Sequence, residues 1–128
     1  MSDSPDFRVD SIALPVRNIV KSMDWYIKHF NLKLLWVYKK YASLTANDYS
    51  APYVTLVHIP NMEPLNLMAG HEPCPVLNFF TSDIELVHEK LRASHVPVSN
   101  IEHHENALKR CLVTDPDGNF IGISSYPE

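Results

Sequence analysis

Apolar and polar positions alternate along residues 9–16, with Ile12, Leu14 and Val16 on one side and Ser11, Ala13 and Pro15 on the other. A repeat of two is the mark of a half-buried strand. Pro15, with no N–H to donate, suits the strand's end or an unpaired edge. From Ile19 the period becomes helical: Ile19, Met23, Tyr26, Ile27 and Phe30 share a stripe, and Asn18 stands where a cap belongs. Residues 32–41, rich in Leu, Val, Trp and Tyr, predict a strand, the polar residues 45–51 a loop, and residues 53–59 a second strand. A proline-bounded turn over residues 60–64 then returns residues 65–68 as a short strand hairpinned to the one before.

After a break at residues 69–75 that holds Gly and Pro, the same order begins again. Residues 76–80 predict a strand, and Ser82-Asp83-Ile84-Glu85 fits a capping box opening a helix with Ile84, Val87 and Leu91 inward. That helix ends near Ser94, before Pro97. Two further strands, at residues 108–113 and 120–124, flank the turn Asp115-Pro116-Asp117-Gly118-Asn119. Ile19 and Ile84 hold matching places at an offset of 65 residues, so the chain reads as a duplication. The counterpart of residues 32–41 falls at residues 99–106, which are largely polar and predict a short or irregular strand.

Composition narrows the classes. A chain of 128 residues with 45% hydrophobic and 20% charged residues is the size and make-up of one globular domain. The formal charge of −4, with scattered basic residues, argues against a nucleic-acid partner. No apolar run nears the roughly 20 residues that span a bilayer, and the start Met1-Ser2-Asp3-Ser4-Pro5-Asp6 is unlike a secretory leader, so the expected location is the cytoplasm, away from membranes. Cys74 and Cys111 form no C-x-x-C pair and read as free thiols. Three glycines, Gly70, Gly118 and Gly122, build no phosphate loop, and no Gly-x-Ser-x-Gly motif occurs.

The opening run from Ala13 to Phe30, with Ser22-Met23-Asp24-Trp25-Tyr26 on its helix, resembles the first module of glyoxalase I, bleomycin-resistance proteins and extradiol dioxygenases, the vicinal oxygen chelate superfamily. The run Asp115-Pro116-Asp117-Gly118-Asn119-Phe120-Ile121 resembles that superfamily's last hairpin. The resemblance implies an α+β fold of two βαβββ modules, with helices outside and curved mixed sheets making a partly closed barrel that encloses a cavity. The modules would span about residues 8–69 and 75–126 of a single paired-module domain, residues 1–128, and the protein would be a homodimer. In metal-dependent members, four positions on the first and last strands of the modules carry His, Glu or Gln around a divalent ion. By register these fall on Ser11, Asn66, Val76 and Gly122, none a strong ligand, so neither a metal nor another cofactor is expected.

Strand alternation adds Ala13, Met68, Asn78, Phe80, Phe120 and Ser124 to the same inward surface. Such a lining suits a flat or aromatic molecule, and Trp36, Tyr38 and Tyr53 would add stacking faces if turned inward. Among seven histidines, His29, His88, His95 and His71 read as surface or partly buried residues, and His58 is the one placed to enter the cavity. His103 and His104, flanked by Glu102 and Glu105, point to opposite sides of an extended segment and read as a loop. Acid–base work by His58 or Glu63 lacks a paired group, and no catalytic residue is assigned. The sequence thus points to a metal-free, bleomycin-resistance-like protein that binds a small, partly aromatic molecule. The alternative is a metal-dependent lyase, isomerase or dioxygenase with ligands relocated to His58, His71 or the His103-His104 loop, and a metal-free enzyme ranks last.

Overall fold

The computed structural model describes residues 5–128, so residues 1–4 of the acidic start lie outside the described residues. The chain divides into two compact units, one running up to Pro60 and the other Asn61–Glu128. The first contains β1 (Ser11–Val16), α1 (Ile19–Phe30), β2 (Lys33–Tyr38), β3 (Tyr41–Asn47) and β4 (Ser50–His58), with the sheet in the order β1-β4-β3-β2. The second opens with a ribbon of β5 (Met68–Ala69) and β6 (Glu72–Pro73). It continues through β7 (Leu77–Phe80), α2 (Ile84–Ala93), β8 (Glu102–His103), a 3-10 turn at Glu105–Ala107, β9 (Lys109–Thr114) and β10 (Phe120–Ser125). Its main sheet has the order β7-β10-β9-β8.

Matching β1 with β7, β4 with β10, β3 with β9 and β2 with β8 superposes one topology on the other. In each sheet the first strand runs parallel to the last and the remaining pairs are antiparallel. Each unit is therefore a βαβββ module. Each sheet is open, with two edge strands, and neither closes into a barrel.

Local chemistry fixes the helix starts. Asn18 caps α1, its Oδ1 accepting from the Lys21 N–H at 3.0 Å. In α2 the cap is Asp83, one residue beyond the Ser82 expected from the capping box: its Oδ1 accepts from the Leu86 N–H at 3.1 Å. A carboxylate at that place also meets the positive end of the helix dipole. Glu85 does not reach back but pairs with Lys109.

The two sheets bury one face each. In the first unit α1 lies on β3 and β4, and Leu14, Val16, Ala42, Leu44, Val54 and Leu56 form that buried side with Tyr26. In the second, α2 lies on β9 and β10, over Leu77, Cys111, Val113, Ile121 and Ile123. Alternation places the other side chains of every strand on the opposite, open face.

Two boundaries differ from expectation. Residues 41–47 continue as β3, where a loop was predicted from residue 45. The actual turn to β4 is Asp48-Tyr49, both at positive φ (39° and 67°), a pairing typical of two-residue hairpins. Residues 65–68 do not hairpin with β4, because β4 is already paired on both sides with β1 and β3; only Met68 and Ala69 extend, against Pro73 and Glu72. The polar stretch near residue 100 does yield only a two-residue strand. Upstream of it Val98 bridges Val113, and the Ser99 N–H donates to the Leu112 carbonyl at 2.8 Å, so the edge is an interrupted strand.

Candidate small-molecule site

On the open face of the first sheet, register places Ser11 beside Tyr53, Ala13 beside Thr55 and Pro15 beside Val57. Across β3 and β2 the same face carries Tyr41, Ser43 and Thr45, then Tyr38, Trp36 and Lys33. An irregularity between Leu34 and Trp36 shifts the register there, which is what turns Trp36 and Tyr38 to this side. Trp36 is 47% exposed and Tyr38 63%, although Ser43, the register partner of Trp36, and Thr45 on the same face are buried. The small hydroxyls are satisfied: Ser43 Oγ lies 3.4 Å from Thr55 Oγ1, and Thr45 Oγ1 donates to the Ser50 carbonyl at 2.9 Å. The result is a ledge of aromatic rings around a polar floor, with no carboxylate or imidazole among these paired residues. Tyr41, Ser43, Thr45 and Thr55 were missed by the sequence reading, although alternation through residues 41–47 would have found three of them.

In the second unit, register joins Asn78 with Gly122 and Phe80 with Ser124 on the open face, with Phe120 and Leu112 on the same side. Phe80 also packs against Tyr126, ring centroids 4.7 Å apart. A Cβ on Gly122 would fall 2.0 Å from Asn78 Oδ1, so glycine is what admits the amide. Asn78 is held there by its Nδ2, which donates to the Pro75 carbonyl at 2.9 Å. Beside this pair lies a cavity of about 250 Å³ whose lining includes Glu72, Pro75, Glu102, His104, Arg110 and Gly122.

Four expected site residues stand elsewhere. Asn66 spends its amide within the second unit, Nδ2 donating to the Gly118 carbonyl at 3.0 Å and Oδ1 accepting from the Phe120 N–H at 2.9 Å. It clamps the turn that Asp115 organises, whose Oδ1 accepts from the N–H groups of Asp117 and Asn119. Met68 is on the ribbon, Val76 precedes β7, and both are exposed. His58 pairs with Val16 in register, so it sits on the α1 side of its sheet rather than the open face.

The remaining histidines also have separate settings. His88 Nε2 lies 2.9 Å from the Ser99 carbonyl, and His104 Nε2 lies 3.2 Å from Glu102 Oε2. His103 shares a face with Lys109, opposite to Glu102. Partial burial, with Lys28 adjacent, pulls His29 below its usual value. Among the described residues no three of His, Cys, Asp and Glu are grouped to hold a metal ion.

Residues 8–123 match the family model of the Glyoxalase/Bleomycin resistance protein/Dioxygenase superfamily. The chain belongs to this superfamily. Among curated proteins none matches the sequence. Solved structures with the same fold include an antibiotic binding protein from Streptomyces sp. CB03234, 18% identical, covering 97% of this chain and 99% of that one with a TM-score of 0.73. A bleomycin resistance determinant encoded on the transposon Tn5 is 12% identical over 95% of this chain and 100% of its own, TM-score 0.70. Lactoylglutathione lyase from Agrobacterium tumefaciens is 14% identical over 94% and 95%, TM-score 0.70.

The superfamily's metal positions can be placed again on the actual strands. The last strand of the first module is β4, not residues 65–68. In the second module Gly122 pairs with Asn78, and Asn78 stands 65 residues after Ala13, whose partner on β4 is Thr55. Thr55 therefore replaces Asn66, and the positions read Ser11, Thr55, Val76 and Gly122. Two hydroxyls and two residues without a donor side chain do not fit a divalent ion, and Asn78 already fills the space over Gly122.

Proposed function

We propose that this superfamily member is a metal-free, bleomycin-resistance-like protein that binds a small, partly aromatic molecule on its open sheet faces, in drug sequestration or sensing. The observation that carries this reading is the ledge of Trp36, Tyr38, Tyr41 and Tyr53 around Ser43 and Thr55. Large exposed rings gathered on one face are costly to leave in water and mark a surface made for a partner. The four metal positions, which offer no carboxylate or imidazole, support binding over metal-assisted chemistry. Likeness to an antibiotic binding protein and a bleomycin resistance determinant agrees with it. Likeness to a lactoylglutathione lyase keeps a second reading, a metal-dependent lyase, isomerase or dioxygenase with ligands relocated to His58, His71 or the His103-His104 loop, which the lack, among the described residues, of any three of His, Cys, Asp and Glu grouped to hold an ion disfavours. We further propose that the protein acts in the cytoplasm as a homodimer whose chain is one paired-module domain.

The test is a thermal-shift screen of planar aromatic compounds in the presence of chelator. Binding by mass action raises the unfolding temperature, and a true ligand should lose about tenfold or more in affinity with Trp36→Ala. Hits that appear only after adding a divalent ion, or that ignore the Trp36 substitution, would contradict the reading.

A further inference from the structure

We infer that the cavity on the open face of the second sheet is a subsite for the zwitterionic end of a small molecule, its carboxylate taken by Arg110 and its ammonium by Glu72 and Glu102. At about 250 Å³ it is smaller than the roughly 300–1,000 Å³ that encloses a drug-sized ligand, so it suits one end of a ligand rather than the whole. Its walls mix apolar surface from Pro73, Pro75 and Leu112 with charges of both signs.

Those charges are not spent on one another. Glu102 and Arg110 are register partners on the same face, yet Glu102 turns its Oε2 to His104 instead. Among the described residues neither Arg110 nor Glu72 enters an ion pair or a side-chain hydrogen bond. Ser99, by contrast, is committed: its Oγ donates to the Asn100 carbonyl at 3.1 Å and accepts from the Leu112 N–H at 2.8 Å. The cavity thus offers a guanidinium fork, which matches a carboxylate with two parallel bonds, and two carboxylates that match an ammonium. A ligand bearing only one charge would leave the opposite group facing it unpaired or repelled, whereas a zwitterion answers both. The inference rests on the proposed function only in taking the ligand to be a small molecule.

The test is an NMR titration of the full chain with four probes: phenylalanine, glycine, N-acetylphenylalanine and phenylalaninamide. Phenylalanine should shift the amides of Ser99, Leu112 and Gly122, and each derivative lacking one charge should bind about tenfold or more weakly. Arg110→Gln should make phenylalanine and its amide bind alike, and Glu72→Gln should narrow the gap between phenylalanine and its N-acetyl form. Glycine shifting the same amides as strongly as phenylalanine would uphold the subsite while counting against an aromatic ligand. Silence of those amides, or equal binding of all derivatives to the unaltered chain, would overturn the subsite. A planar aromatic compound that still perturbs Trp36 in that case would leave the proposed function standing.

Discussion

Gly122 and Asn78 act as one feature, since the missing side chain of the first makes room for the amide of the second. Gly122→Ala should displace Asn78 from the Pro75 carbonyl and cost about 1–3 kcal/mol by overpacking. In chemical denaturation the double variant with Asn78→Ala should lose less than the sum of the single changes. Asn66→Ala removes two hydrogen bonds to backbone groups of the last hairpin, and should cost about 1–3 kcal/mol in the same measurement. The thiols should separate cleanly. Cys74 is exposed, while burial pushes Cys111 from 9.0 up to about 11. A thiol reagent should modify Cys74 at once and Cys111 only on unfolding. Because the folded chain holds the Cys111 proton more tightly than the unfolded chain, this group's contribution to stability is complete below pH 9 and lost as pH rises through about 11.

At the level of elements, the helix caps give a sharp comparison. Asp83→Ala should destabilise by about 1 kcal/mol, whereas Ser82→Ala should stay within about 0.5 kcal/mol in thermal unfolding. The reverse order would restore the capping box. Both helices were legible in the sequence because their stripes and caps are local signals. So was the weakness of β8, where the polar residues near Asn100 cannot supply a second apolar strand face. The β3–β4 hairpin was not legible, because Ser43 and Thr45 look like loop residues until their hydroxyls are seen bonded inside the sheet. The turn at Asp48-Tyr49 lacks the glycine that usually announces two positive φ angles. That single misplaced hairpin moved the last strand of the first module and carried the superfamily's ligand position on it from Thr55 to Asn66.

For the whole molecule, the duplication read from one offset of 65 residues became two sheets with one topology, and the family model spans 116 of its residues, 8–123. Recognition of the family needed only the ends of the chain. The open faces needed register, because which side Trp36 and Tyr38 take depends on an irregularity that no periodicity displays. In the function proposed for this chain, the superfamily's metal-binding positions are given over to hydroxyls, a valine and a glycine covered by an amide, and the sheet faces serve ligand binding. Elemental analysis of tag-free protein purified without chelator, followed by reloading with nickel, zinc, manganese and iron(II), tests it most directly. No stoichiometric metal and no thermal stabilisation on reloading are expected; about one tightly held ion per chain, with a raised unfolding temperature, would overturn the metal-free reading.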